Sequence, residues 1–125
     1  MANFDFGRGT DALVLHFTSD GAGDVPRIAA AIFDGEGLVI GDRAENVLIE
    51  APRGSYKPDT VTLRGDFPPD AACFVTIWDD PRENSARRVQ LVGAEINGAS
   101  IEDAATDFDK AGDYGPLRLV APAAA

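Results

Sequence analysis

The feature that most restricts this chain is a succession of apolar runs no longer than a strand, each closed by a cluster of Gly, Pro, Asp and Ser. The clearest run is Ala12 to Phe17, where Leu13, Leu15 and Phe17 alternate with Ala12, Val14 and His16. Side chains of a strand point alternately to its two faces, so this period of two predicts one apolar face and one mixed face. Further strands are expected at Arg27 to Phe33, Leu38 to Gly41, Asn46 to Glu50, Thr60 to Gly65, Cys73 to Trp78, Val89 to Ile96, Ala99 to Ile101 and Leu117 to Val120. Asp34-Gly35-Glu36-Gly37 and Asn97-Gly98 offer the turn formers that hairpins need where φ is positive. Only Ala99 to Ala105 is expected to hold a helical turn. The pattern predicts an all-β chain, an antiparallel β-sandwich or jelly roll of about eight strands.

Its 125 residues make one module, with Ala121 to Ala125 expected as a frayed tail. Eleven basic residues against 21 acidic ones give a formal charge of −10. A field of that sign repels nucleic-acid phosphates and anionic lipid, so neither is an expected partner, whereas divalent cations and neutral ligands are compatible with it. The start MANFDFGRG has no basic lead or hydrophobic stretch, and no apolar run reaches the roughly 18 residues of a membrane span, so neither a signal peptide nor a transmembrane segment is expected.

Catalytic residue types are scarce. A nucleophilic triad has one histidine to draw on, His16, and it sits mid-strand, whereas catalytic groups favour loops and strand ends. Cys73, the single cysteine, opens an apolar strand and is expected to be a buried structural thiol. Phosphate-binding glycine loops, paired cysteines and zinc spacings are lacking. No pair of carboxylates can be assigned the acid and nucleophile roles of a glycosidase, so the chain is expected not to be an enzyme.

Carboxylates in loops carry more promise, because Ca²⁺ takes six to eight oxygens from segments that curl around it. Asp20 and Asp24 bracket a glycine-containing loop after the first strand, and Asp79, Asp80, Glu83 and Asn84 fill the loop after Trp78. In a sandwich both loops can end at one rim, and these six residues form the candidate metal set. A third acidic loop fails the EF-hand pattern: counted from Asp107, position five is Ala111 and position twelve is Arg118, where oxygen ligands are required. It reads as a solvated loop. Three aromatics are candidates for a sugar platform: Trp78 at a strand end, and Tyr56 and Tyr114 in Gly- and Pro-containing loops.

The ordered segments GRGTDALVLHFTSD, AAAIFDGEGLVIGD, TVTLRGDF, FVTIWDD and RRVQLVGAEINGASI resemble the calcium-dependent, xylan-binding type of carbohydrate-binding module, a domain also appended to bacterial secreted repeat and adhesin-like proteins. The resemblance runs from about Gly7 to Val120, through short motifs whose specificity lies in their order. The family's V-D-G turn corresponds to Phe33-Asp34-Gly35, its N-D pair to Asp79-Asp80, and its N-G turn to Asn97-Gly98. The resemblance implies that Asp20, Asp24, Asp79 and Asp80 hold a Ca²⁺ that ligates sugar hydroxyls, with Glu83 or Asn84 as substitute ligands. It departs from the family at Ala86-Arg87-Arg88-Val89, where an expected carboxylate is missing and two cations stand instead.

Two functions are therefore expected in turn. The first is non-catalytic binding of a xylan-like polysaccharide through loop-bound calcium, outside the cell or on its surface. The second is an interaction sandwich with a degenerate calcium site, serving as a subunit of a larger assembly such as a fibre, spike or shell.

Overall fold

A computed structural model describes residues 3–21, 23–79 and 86–119. Within them the chain forms ten strands and no helix: β1 (Asn3–Gly7), β2 (Asp11–Asp20), β3 (Arg27–Phe33), β4 (Val39–Leu48), β5 (Asp59–Gly65), β6 (Ala72–Ile77), β7 (Arg88–Ile96), β8 (Ala99–Ser100), β9 (Thr106–Phe108) and β10 (Gly112–Arg118). They make two sheets. One has six strands in the order β1-β5-β2-β7-β8, with β9 also beside β7; the other has four, in the order β10-β6-β3-β4. All pairs are antiparallel except β1 with β5. The chain is a β-sandwich.

The alternation of β2 sets its orientation. Leu13, Leu15 and Phe17 are fully buried, and from the opposite sheet Ile28, Ile32, Cys73, Val75 and Ile77 meet them in one cluster. Each such side chain contributes about 2 kcal/mol relative to exposure. The β3–β4 hairpin is closed by Asp34, whose carboxylate accepts the backbone N–H groups of Glu36 and Leu38 at 2.9 and 3.0 Å. Asn97 and Gly98 take the positive φ values, 51° and 84°, that a tight turn requires.

Several elements differ from expectation. The strands expected at Leu38 to Gly41 and Asn46 to Glu50 are one strand, β4, which stays paired with β3 through two register shifts. Between the pairs Ile32↔Ile40 and Ala30↔Ala44, β4 carries two more residues than β3 does, with Gly41 at positive φ, and between Ala30↔Ala44 and Ile28↔Val47 it carries one more, with Asn46 at positive φ. β1 and β9 are further strands, β1 beside β5 and β9 beside β7. β10 begins at Gly112 although Gly115 and Pro116 read as loop; as the outermost strand of its sheet it can lack a ladder donor. No helical turn forms in the segment Ala99 to Ala105, where β8 pairs with β7.

The loop from Glu50 to Pro58 is tied down by Asp59. This buried carboxylate accepts the N–H groups of Glu50 at 2.7 Å and Ala51 at 3.0 Å. Among the described residues no helix is long and apolar enough to cross a membrane.

Candidate functional site

Two places invite a ligand: the rim where β2 and β6 end, and the outer face of the four-stranded sheet.

At the rim, the residues that flank the second acidic loop lie beside the first. Asp24 forms an isolated parallel bridge with Ala86, and its carbonyl accepts the Arg87 N–H at 2.9 Å. Two of the carboxylates, those of Asp20 and Asp79, are however engaged by arginines. Asp20 accepts a bond from Arg53 Nη1 at 3.0 Å and lies 3.6 Å from Arg88 Nε. Asp79 holds Arg27 three times, through its backbone N–H at 3.1 Å, Nε at 3.3 Å and Nη2 at 3.2 Å. Burial pushes the Asp20 carboxyl up, but the Arg53 bond, the Arg88 charge and a bond from Gln90 outweigh it and hold the group below the usual carboxylate value. The Arg27 bond does the same for Asp79, against a smaller opposing effect of burial.

The two cations that depart from the resembled family are part of this arrangement: Arg88 faces Asp20, and Arg87 Nε donates to the Gly23 carbonyl at 3.1 Å. Asp80, Glu83 and Asn84 lie outside the described residues. Among the described residues no group of three or more His, Cys, Asp or Glu side chains is placed to hold a metal ion. The described part of the expected calcium set therefore does not fit a cation that needs six to eight oxygens.

The outer face of the four-stranded sheet is different. β6 buries Cys73, Val75 and Ile77, so Phe74, Thr76 and the following Trp78 point outward. Opposite them on β3 stand Ala31, facing Phe74, and Ala29, facing Thr76. The small alanines leave a trough of about 750 Å³, within the range of ligand sites. Phe33 and Phe74 meet edge to face at 5.6 Å at one end, and Trp78, half exposed, stands at the other.

The irregular stretch of β4 aims the wall. Ala44 faces the core, so its neighbours Arg43 and Glu45 face out and line the trough. The Arg43 guanidinium lies over the Phe33 ring at 5.9 Å. Neither Arg43 nor Glu45 has an ion-pair partner among the described residues. Across the trough Thr76 Oγ1 donates to Asp113 Oδ1 at 2.6 Å.

Of the three expected platform aromatics, Trp78 alone lines the trough. Tyr56 is almost fully exposed, with Lys57 Nζ 5.6 Å from its ring centre. Tyr114 packs on Phe108 at 4.7 Å and donates its hydroxyl to the Lys110 carbonyl at 2.6 Å, so it stabilises the β9–β10 turn. Phe33, Phe74, Arg43, Glu45 and Asp113 were not expected at a site. The signal for Phe33 and Phe74 was present as large apolar residues on both faces of their strands. That of Arg43 and Glu45 depends on the bulged register. In comparisons with known protein families, curated proteins and solved structures, the chain finds no match.

Proposed function

We propose that this protein is a non-catalytic module that binds polysaccharide on the outer face of its four-stranded sheet and works outside the cell or at its surface. The observation that carries the reading is the trough, which combines the exposed Trp78 and the half-buried Phe33 and Phe74 with Arg43 and Glu45, neither of which has an ion-pair partner among the described residues. A sugar ring presents an apolar C–H face and a girdle of hydroxyls. The first packs on Trp78, Phe74 and Phe33; the second both donates and accepts, and so serves a carboxylate and a guanidinium together. Single contacts of this kind are weak in water, so one copy binds modestly, and repetition in a larger protein strengthens attachment through effective concentration.

This mechanism does not draw on calcium. Titration of soluble xylan, glucan and mannan against the protein and against Trp78→Ala, with and without a chelator, tests it. Trp78→Ala is expected to weaken binding about tenfold, or 1.4 kcal/mol, while the chelator changes nothing. Unaltered binding by Trp78→Ala overturns the trough as the site, and loss of binding to chelator returns the reading to the loop that contains Asp79 and Asp80.

A second reading is an assembly subunit, favoured by the apolar side chains that share this face. Leu48, 44% exposed, is paired in register with Arg27, whose carbonyl accepts the Trp78 N–H at 3.2 Å, so Leu48 and the half-exposed Trp78 lie at one edge. A mass that rises with concentration, abolished in a Leu48→Ser/Trp78→Ala variant, supports that reading. A strictly monomeric protein at high concentration removes it.

A further inference from the structure

We infer that the trough takes an internal stretch of an extended, uncharged glycan chain lying along β6, and that it discriminates against single sugars and polyuronates; this rests on the polysaccharide-binding reading above. The length of the trough is the first argument. Phe74 and Trp78 are four residues apart on one face of the strand direction, about 13 Å at the rise of an antiparallel strand. No single pyranose ring bridges that gap. Between the two aromatic ends the side chains are small, Ala29, Ala31 and Thr76, so the middle of a chain can sit low while outer rings rest on Trp78 and on the Phe33–Phe74 pair.

The polar groups give the second argument. The Thr76 bond fixes Asp113 through Oδ1 and leaves Oδ2 as an acceptor beside the middle of the trough. On the opposite wall Glu45 is a second acceptor and Arg43, steadied over Phe33, is a donor. Hydroxyl groups satisfy all three. A chain of carboxylates satisfies Arg43 alone, meets Glu45 and Asp113 as like charges, and approaches a protein of charge −10.

The test is calorimetric titration with xylose, xylobiose and xylohexaose, with glucose and cellohexaose, and with oligogalacturonate of matching length. Ala29→Leu, which fills the floor from β3, and Glu45→Gln, on the exposed wall, are measured beside the parent protein, and each variant's melting curve reports whether it folds. Affinity for the better neutral series is expected to rise at least tenfold from monosaccharide to hexasaccharide. Oligogalacturonate should not bind, Ala29→Leu should lose about tenfold, and Glu45→Gln should lose a few-fold while melting as the parent does. A monosaccharide held as tightly as its hexasaccharide overturns the extended chain, oligogalacturonate binding as well as the neutral oligomers overturns the charge selection, and unchanged affinity in a folded Ala29→Leu overturns the path along β3 and β6. Those three outcomes leave the parent reading standing. Failure of every oligosaccharide and polysaccharide to bind overturns both.

Discussion

The two outer faces of the sandwich share one core and differ in how their polar groups are spent. On the six-stranded sheet, His16 is held between Thr60 Oγ1 at 3.3 Å and Glu95 Oε1 at 3.0 Å, and Arg64 grips Asp5 through both Nε and Nη2. These groups partner each other across adjacent strands. On the four-stranded sheet, the aromatic rings stand above alanines, and Arg43 and Glu45 are unpaired among the described residues. A face whose polar groups satisfy one another makes no demand on a ligand; a face with rings and unpaired charges of both signs does.

The comparison is sharpest on β6, where consecutive residues serve opposite sides. Ile77→Ala, which empties part of the core, is expected to cost about 3 kcal/mol in denaturant unfolding. Trp78→Ala should cost less than 1 kcal/mol there and act on glycan affinity instead. Equal destabilisation by the two would mean that Trp78 is structural, and would erase the contrast between the faces.

Asp59 supports neither face directly but anchors the loop between β4 and β5. Asp59→Ala leaves the Glu50 and Ala51 amides without their acceptor and is expected to cost about 2 kcal/mol. Thermal unfolding measures this, and glycan binding at temperatures where the variant is folded should be unchanged. A loss of affinity in the folded variant would show that the trough depends on the rim.

The rim supplies the smallest effect. Asp20 and Asp79 have folded-state values below their ordinary 3.8. Their contribution is therefore complete above that value and is lost as pH falls through it and beyond, where protonation breaks the bonds to Arg53 and Arg27. The arginine of each pair is half exposed, so solvent screens the interaction and its contribution is small. Arg27→Ala/Arg53→Ala should flatten the acid limb of the stability–pH curve between roughly pH 5 and pH 2. An unchanged limb would mean that other carboxylates set it.

Much of the frame was legible from residue order. β3 runs over the expected residues, and β2, β5, β6 and β7 begin or end within a few residues of expectation, because period-two alternation and turn residues are local properties. The rim was legible in one respect, the approach of the first loop at Asp24 to the chain at Ala86. It was illegible in another: the partner of Asp20 is Arg53, far along the chain, and nothing local announces such a pair. On β6 both faces carry large apolar residues, so alternation alone does not say whether Val75 or Phe74 turns inward.

By itself, the sequence determined an all-strand sandwich with a negative surface, because periodicity, turn chemistry and net charge need no knowledge of neighbours. Tertiary structure alone decided which apolar face of β6 meets the core, how the bulged β4 aims Arg43 and Glu45, and which arginines occupy the rim carboxylates. Those outcomes arise from strand register and from charges that approach only after the chain has closed on itself.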